Sequence, residues 1–301
     1  MRGPRRRASG WAASRVYDLP RTAHSRGSGL YCAPFLRGGA GASDRSDHPF
    51  LPPPPKRGPK GMAITERVRL ALAYLREGVS TRGLARITSI PNTTLRDNIN
   101  PVLAAFDQLE AVLPDGTVIE SFDDVIRWCA QEGKVIIDGT DFTVARPGDQ
   151  DLQRPFYSGK RKTHTTKTIA VCDSSSNLMW VTPLVAGATH DLTALRDASL
   201  PDHLAASNLA VLADSGFQGL QNDVPEIRLP TRRHGTAKTL TMVDRFFNTL
   251  LASKRVRVEH SIGRLKQWRC LTVPNQRRDL LERWLPICLA LTTFQQAWPQ
   301  S

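Results

Sequence analysis

"VLADSGFQG", residues 211–219, passes through three apolar residues to a single carboxylate, Asp214, and turns at once on Ser215 and Gly216. A short apolar run bounded by a Gly-containing turn reads as a buried strand. A strand that stops on an acid raises the question of what the acid faces. A second run has the same form: "KVIID", residues 134–138, is apolar and stops on Asp138, with Gly139 and Thr140 following. In open α/β sheets ligands gather beyond the carboxyl ends of strands, above all where strands diverge. Asp138 and Asp214 are therefore expected side by side.

Working outward, "TIAVCD" (168–173) and "LMWVTPLV" (178–185) read as two more strands around the turn "SSSN". "HDLTALRDASLPDHLAASN" (190–208) supplies a helix, and "LAVLAD" (209–214) returns as a strand ending on Asp214. Strands first, then a helix and another strand, describe an α/β domain with a mixed sheet. Two adjacent carboxylates repel unless a cation lies between them, and Mg²⁺ and Mn²⁺ prefer oxygen ligands of this kind. A third acid is available in "NTLLASKRVRVEHSIGRLKQWR" (248–269). There Leu251, Val258, Ile262 and Leu265 form a buried stripe at helical spacing, and Asn248, Arg255, Glu259 and Lys266 lie along a neighbouring face. Glu259 is the only acid between Lys254 and Arg278. Taken alone it reads as a surface ion-pair partner.

Upstream, residues 62–113 are helical in pattern. In "MAITERVRLALAYLREG" the apolar positions are Val68, Leu70, Ala71, Leu72 and Leu75, and Gly78 is a stop signal. In "VSTRGLARITSIPNTTLRDNINPVLAAF" (79–106) Ser80 is an N-cap, a short helix passes through Leu84 and Ile87, and a turn at Ser89–Pro91 precedes a second helix opened by Asn92 or Thr93. This is helix-turn-helix spacing, in which Asn92, Thr93, Thr94 and Arg96 would be exposed at the start of a groove-reading helix. A three-helix bundle with a solvated polar face fits the same pattern. Residues 114–133 read as a connector holding one amphipathic helix, and 134–298 as the α/β domain.

The chain has 301 residues and a formal charge of +13, with a pI near 10.1. That balance points to a polyanionic partner, but it is unevenly placed. Residues 1–61 hold 12 Lys and Arg against 3 Asp and Glu, leaving 29 basic and 25 acidic residues for 62–301. The leader is dense in Arg, Gly, Ser and Pro and reads as disordered; a mitochondrial presequence, or a true start at Met62, are further readings of it. Five scattered cysteines without CxxC spacing read as reduced buried thiols. "WLPICLALTTF" (284–294) is too short to span a bilayer and reads as a closing core helix. No membrane partner is expected.

"IDGTDF", "RPFYSGKRKTHTTKT", "THDL", "LADSGFQG" and "RVRVEHSIGRLKQW" together resemble, in order, the successive blocks of the DDE transposases of bacterial insertion sequences and their Harbinger-type relatives. The likeness spans about residues 62–296, the helix-turn-helix included. It implies an RNase H-like core in which Asp138, Asp214 and Glu259 hold two Mg²⁺ or Mn²⁺ ions and act as the catalytic acids. Such ions, about 3.5–4 Å apart, activate a water or 3′-hydroxyl on one side of a phosphodiester and stabilise the leaving oxygen on the other. The partner implied is double-stranded DNA, at element ends and target, with a homo-oligomer forming on it in a bacterial cytoplasm, associated with the nucleoid. Lys160, Arg161, Lys162, Lys167, Arg255, Arg264 and Lys266 would hold phosphates. His190 and Asp191 either cap a helix or orient a metal-bound water or phosphate, outside the triad. Phe217 stands where the family often has Tyr. A nuclease without a joining step, or a recruited DNA-binding protein, are the alternative functions.

Overall fold

A computed structural model describes residues 61–233 and 239–298. The reading of residues 1–61 as a disordered leader thus lies outside the described residues, apart from Gly61. Three helices open the described chain: α1 (Ile64–Glu77), α2 (Thr81–Thr88) and α3 (Asn92–Phe106). Gly78 ends α1 in the left-handed region at φ 62, where a residue with a Cβ is strained. Ser80 caps α2 by accepting from the Gly83 N–H at 3.1 Å, and Ser89, at φ 60, turns the chain toward α3. The helix α4 (Phe122–Ala130) follows, closed at its start by a Ser121–Asp124 capping box.

Seven strands form one mixed sheet: β1 (Lys134–Thr143), β2 (Tyr157–Ser158), β3 (Thr163–Cys172), β4 (Leu178–Val181), β5 (Val185–Ala186), β6 (Ala210–Leu212) and β7 (Ile227–Arg228). The main path runs β2-β3-β1-β6-β7, with β4 and β5 also paired to β3. β1 is antiparallel to β3 and parallel to β6, and β6 is parallel to β7. Helix α5 (Gln150–Phe156) lies between β1 and β2, and helices α6 (Asp191–Asp197) and α7 (Leu200–Ala206) between β5 and β6. The long α8 (Met242–Lys266) and α9 (Arg278–Ala297) close the described chain.

Side chains on a strand alternate between its two faces, and β1 shows why this sheet must be covered on both. Val135 and Ile137 enter one buried cluster with residues of α4, α6 and α7. Ile136 and Phe142 enter another with residues of α1, α2, α3, α8 and α9. The three opening helices thus share a core with the sheet, through α1 and α3 residues such as Leu75 and Leu95. Each fully buried Val or Ile is worth about 1.5–3 kcal/mol relative to exposure, so a strand apolar on both sides is held from both. None of the helices among the described residues is long and apolar enough to cross a membrane.

Four sequence expectations need correction. The strand expected over 178–185 is two, β4 and β5, each paired to β3. The strand expected to stop at Asp138 continues to Thr143, because Asp138 to Thr143 pair with Ala170 to Thr165 of β3; that ladder is non-local and leaves no mark in the apolar pattern. The single helix expected over 190–208 is broken into α6 and α7 at Ser199, whose φ is 55. The last strand ends at Leu212, and Asp214 instead opens a 3-10 turn over Ser215–Phe217, its side chain accepting from the Gly216 N–H at 2.7 Å.

Candidate active site

The pairing of β1 with β6 puts two acids together. These parallel neighbours are in register at Ile136 and Leu212. Two residues further along each chain, on the same face by strand alternation, stand Asp138 and Asp214. The parallel ladder has ended by then, and β1 goes on with β3 alone. The acids therefore sit where two neighbouring strands part company, and their face is the one that α8 covers.

From α8, Arg255 places Nη2 3.4 Å from the Asp138 Oδ2, with both side chains less than a fifth exposed. The Asp138 Oδ1 accepts from the Gly139 N–H at 2.9 Å. Burial pushes the Asp138 carboxyl up; Arg255 opposes that shift, while Asp214 and Asp191 reinforce it, and the balance stands at about 6. Burial, more than any neighbouring charge, sets that value.

Asp191 is the third carboxylate present. At the start of α6 its Oδ1 lies 2.7 Å from the Lys167 Nζ, which also donates to the Thr189 carbonyl at 2.7 Å. Two glycines admit it. A Cβ on Gly139 would stand 2.9 Å from the Asp191 Oδ1, and one on Gly216 would stand 2.5 Å from the Asp191 Oδ2 and 2.8 Å from the Asp214 Oδ1. Gly139, directly after Asp138, and Gly216, two residues after Asp214, therefore leave the space in which Asp191 lies. Capping alone does not describe Asp191, because its carboxylate is turned to Lys167. His190 is the exposed N-cap residue of α6 and makes no side-chain cap bond.

Glu259 stands one helical turn beyond Arg255, on an exposed part of α8. Further along the same helix the Lys266 Nζ lies 5.6 Å from the Phe142 ring centroid, and burial, then the nearby Arg161, lower its pKa. Among the described residues no three His, Cys, Asp or Glu side chains converge as a closed ion site. The donors still suit a hard divalent cation, which is commonly held by one or two carboxylates and completed by water and substrate phosphate. Asp138 and Asp214 supply such oxygens, and the Asp138 carboxyl, pushed up chiefly by its burial, is one that a bound cation would hold ionised.

The remaining expected site residues divide by location. A cavity of about 290 Å³ beside the acids is lined by Lys160, Lys167, His190 and Asp191, together with Tyr157 and Asp141. Arg161 and Lys162 are exposed on the adjoining turn, with the Arg161 Nε 3.7 Å from the Asp141 Oδ2. Arg264 is turned instead to α9, donating to the Gln296 Oε1 at 3.2 Å. Thr93, Thr94 and Arg96 are exposed on the first turns of α3, with Asn92 half-buried beside them. Sequence reasoning does not single out Asp141 or Tyr157, and it reads the two glycines only as turn residues. The Gly after Asp138 and the Ser-Gly after Asp214 were the available signal.

A family model described as "DDE superfamily endonuclease" matches residues 137–293. A curated protein of Microchaete diplosiphon, named "Probable transposase for insertion sequence element IS702", is 27% identical over 161 residues, or 54% of this chain and 55% of that protein. The chain thus spans about half the length of the curated relative it matches. The family match opens one residue before Asp138 and takes in Asp214 and Glu259, while α1 to α3 lie outside it.

Proposed function

This chain belongs to the DDE superfamily endonucleases, and from that premise we propose that it cuts DNA at the ends of a mobile element and joins them to a target. The observation that carries the reading is the placement of Asp138 and Asp214 on one face where β1 and β6 part. Members of this superfamily generally use divalent metal ions. Asp138 and Asp214 would hold Mg²⁺ or Mn²⁺, with Glu259 as the third acid, approaching from α8. A pair of such ions supplies activation of the attacking oxygen and stabilisation of the leaving one.

The chain's own residues do the rest by position and charge. Asp138 and Asp214 are held by the N–H groups of Gly139 and Gly216, which orients their carboxylates before any substrate arrives. Lys167 fixes Asp191 against the two glycines. Lys160, Arg161 and Lys162 lie exposed beside the cavity, where cations hold phosphate without reading bases. Arg255 offsets part of the Asp138 charge. The mixed sheet with helices on both faces supports an RNase H-like reading of this domain.

Recognition of element ends is assigned to α2 and α3 as a helix-turn-helix. The Ser80 cap, the left-handed turn at Ser89 and the exposed row Thr93, Thr94 and Arg96 support it.

The test is cleavage of a labelled element end, identified from inverted repeats beside the gene, by purified parent, Asp214→Asn and Glu259→Gln chains across Mg²⁺ and Mn²⁺ concentrations. Both variants should lose cleavage nearly completely and still bind the duplex, and the double variant should be little worse than either, as for residues acting as a unit. Near-normal cutting by Glu259→Gln would remove Glu259 from the site. Cleavage without joining to an added target duplex would make the protein a nuclease only.

A further inference from the structure

The first half of α8 carries an apolar face that no described residue covers. Met242, Val243, Phe246 and Leu250 are 86, 76, 65 and 45% exposed. Their spacing puts them on one side of the helix, with Phe247 and Val256 at its margins. The side that enters the core is a different one, marked by Leu251, Val258, Ile262 and Leu265. Single exposed apolar residues are ordinary, but these side chains together present on the order of 600 Å² of contiguous surface, at the upper end for the largest patch of a monomer.

We propose that a second copy of this chain covers this face, with the two α8 helices antiparallel across a two-fold axis at Phe246. A two-fold interface must be complementary to itself, and this stripe is: an axis at Phe246 sets Met242 of one copy opposite Leu250 of the other. Two copies would bury on the order of 1,200 Å², the lower bound for a specific interface. Charge selects the orientation. Lys254 and Arg257 follow the stripe; a parallel pair would set them abreast of their counterparts, and the antiparallel pair keeps them at opposite ends. The same helix carries Arg255 and Glu259 in its second half, so the pairing would steady the element that bears them. The inference stands on the exposed face and does not need the transposase reading.

Sedimentation of the full chain without DNA tests it. The parent is expected to run as two chains of 33.3 kDa each, and Phe246→Asp as one, with the dimer dissociation constant raised about thirtyfold or more, as for a central interface residue. An unchanged circular dichroism spectrum would show that the variant is folded. Orientation is read by cross-linking in a Cys32→Ser background, where Cys129, Cys172, Cys270 and Cys288 are buried. Met242→Cys mixed with Leu250→Cys should join readily, and either variant alone poorly. A parent that sediments as a single chain at every concentration, a Phe246→Asp variant that stays paired, or cross-linking no better in the mixture would each overturn the proposal.

Discussion

Replacing Asp138 by Asn should stabilise the metal-free protein at neutral pH while ending its cleavage. The folded chain holds this carboxyl at about 6 against an ordinary 3.8, chiefly because it is buried; Arg255 pulls the value down, and Asp214 and Asp191 push it back up. A folded value above the unfolded one means that the native chain takes up a proton over that window. Stability contributed by the protonated form is complete below about pH 4 and is lost as pH rises through about 6. Keeping the group ionised above that point costs about 3 kcal/mol by linkage, and relaxation around a side chain 18% exposed brings the expectation to about 1–3 kcal/mol. The amide mimics the protonated form at every pH. For a domain of this size the variant should melt roughly 3–10 °C above the parent at pH 7.5 in EDTA, and the gap should close near pH 4. Calorimetry of the two proteins at both pH values measures it, and added Mg²⁺ should raise the melting temperature of the parent alone, since a ligand that binds only the native state stabilises it. A variant that melts at or below the parent at pH 7.5 would show that burial and the neighbouring acids do not raise the Asp138 carboxyl as described.

Two further outcomes follow from positions already given. Gly216→Ala should cut cleavage at least about tenfold with DNA binding retained, because its Cβ would meet the Asp191 Oδ2 at 2.5 Å and the Asp214 Oδ1 at 2.8 Å; a fully active variant would show that the acids need no such closeness. Arg96→Ala combined with Asn92→Ala should weaken binding to element ends by about 1–3 kcal/mol more than binding to random duplex. Equal losses in a gel-shift titration would make α3 a phosphate-holding helix.

Much of the site was legible from local pattern. The apolar runs before Asp138 and Asp214 are local signals, and so is the 3.6-residue period that named Leu251, Val258, Ile262 and Leu265 as buried in α8. What the sequence hid depends on partners distant in the chain. The length of β1 is set by pairing with β3, some thirty residues away. Asp191 reads locally as a helix-opening residue, and only the approach of Gly139 and Gly216 brings it among the acids. Arg255 reads as one more phosphate-holding cation until the fold sets it against Asp138. That Met242, Val243, Phe246 and Leu250 stay exposed is also non-local, since it depends on which elements pack against the start of α8.

Only three residue pairs join β1 to β6: Lys134 with Ala210, Val135 with Val211 and Ile136 with Leu212. A slip of one residue would cost little in backbone bonding, yet it would swing Asp214 to the opposite side of the sheet. A misthreaded chain of that sort would remain compact and would present one acid where two are needed. Catalysis therefore doubles as a proofreader of assembly, and specific activity should report the fraction of molecules whose strands have met in the right step more sensitively than any measure of compactness.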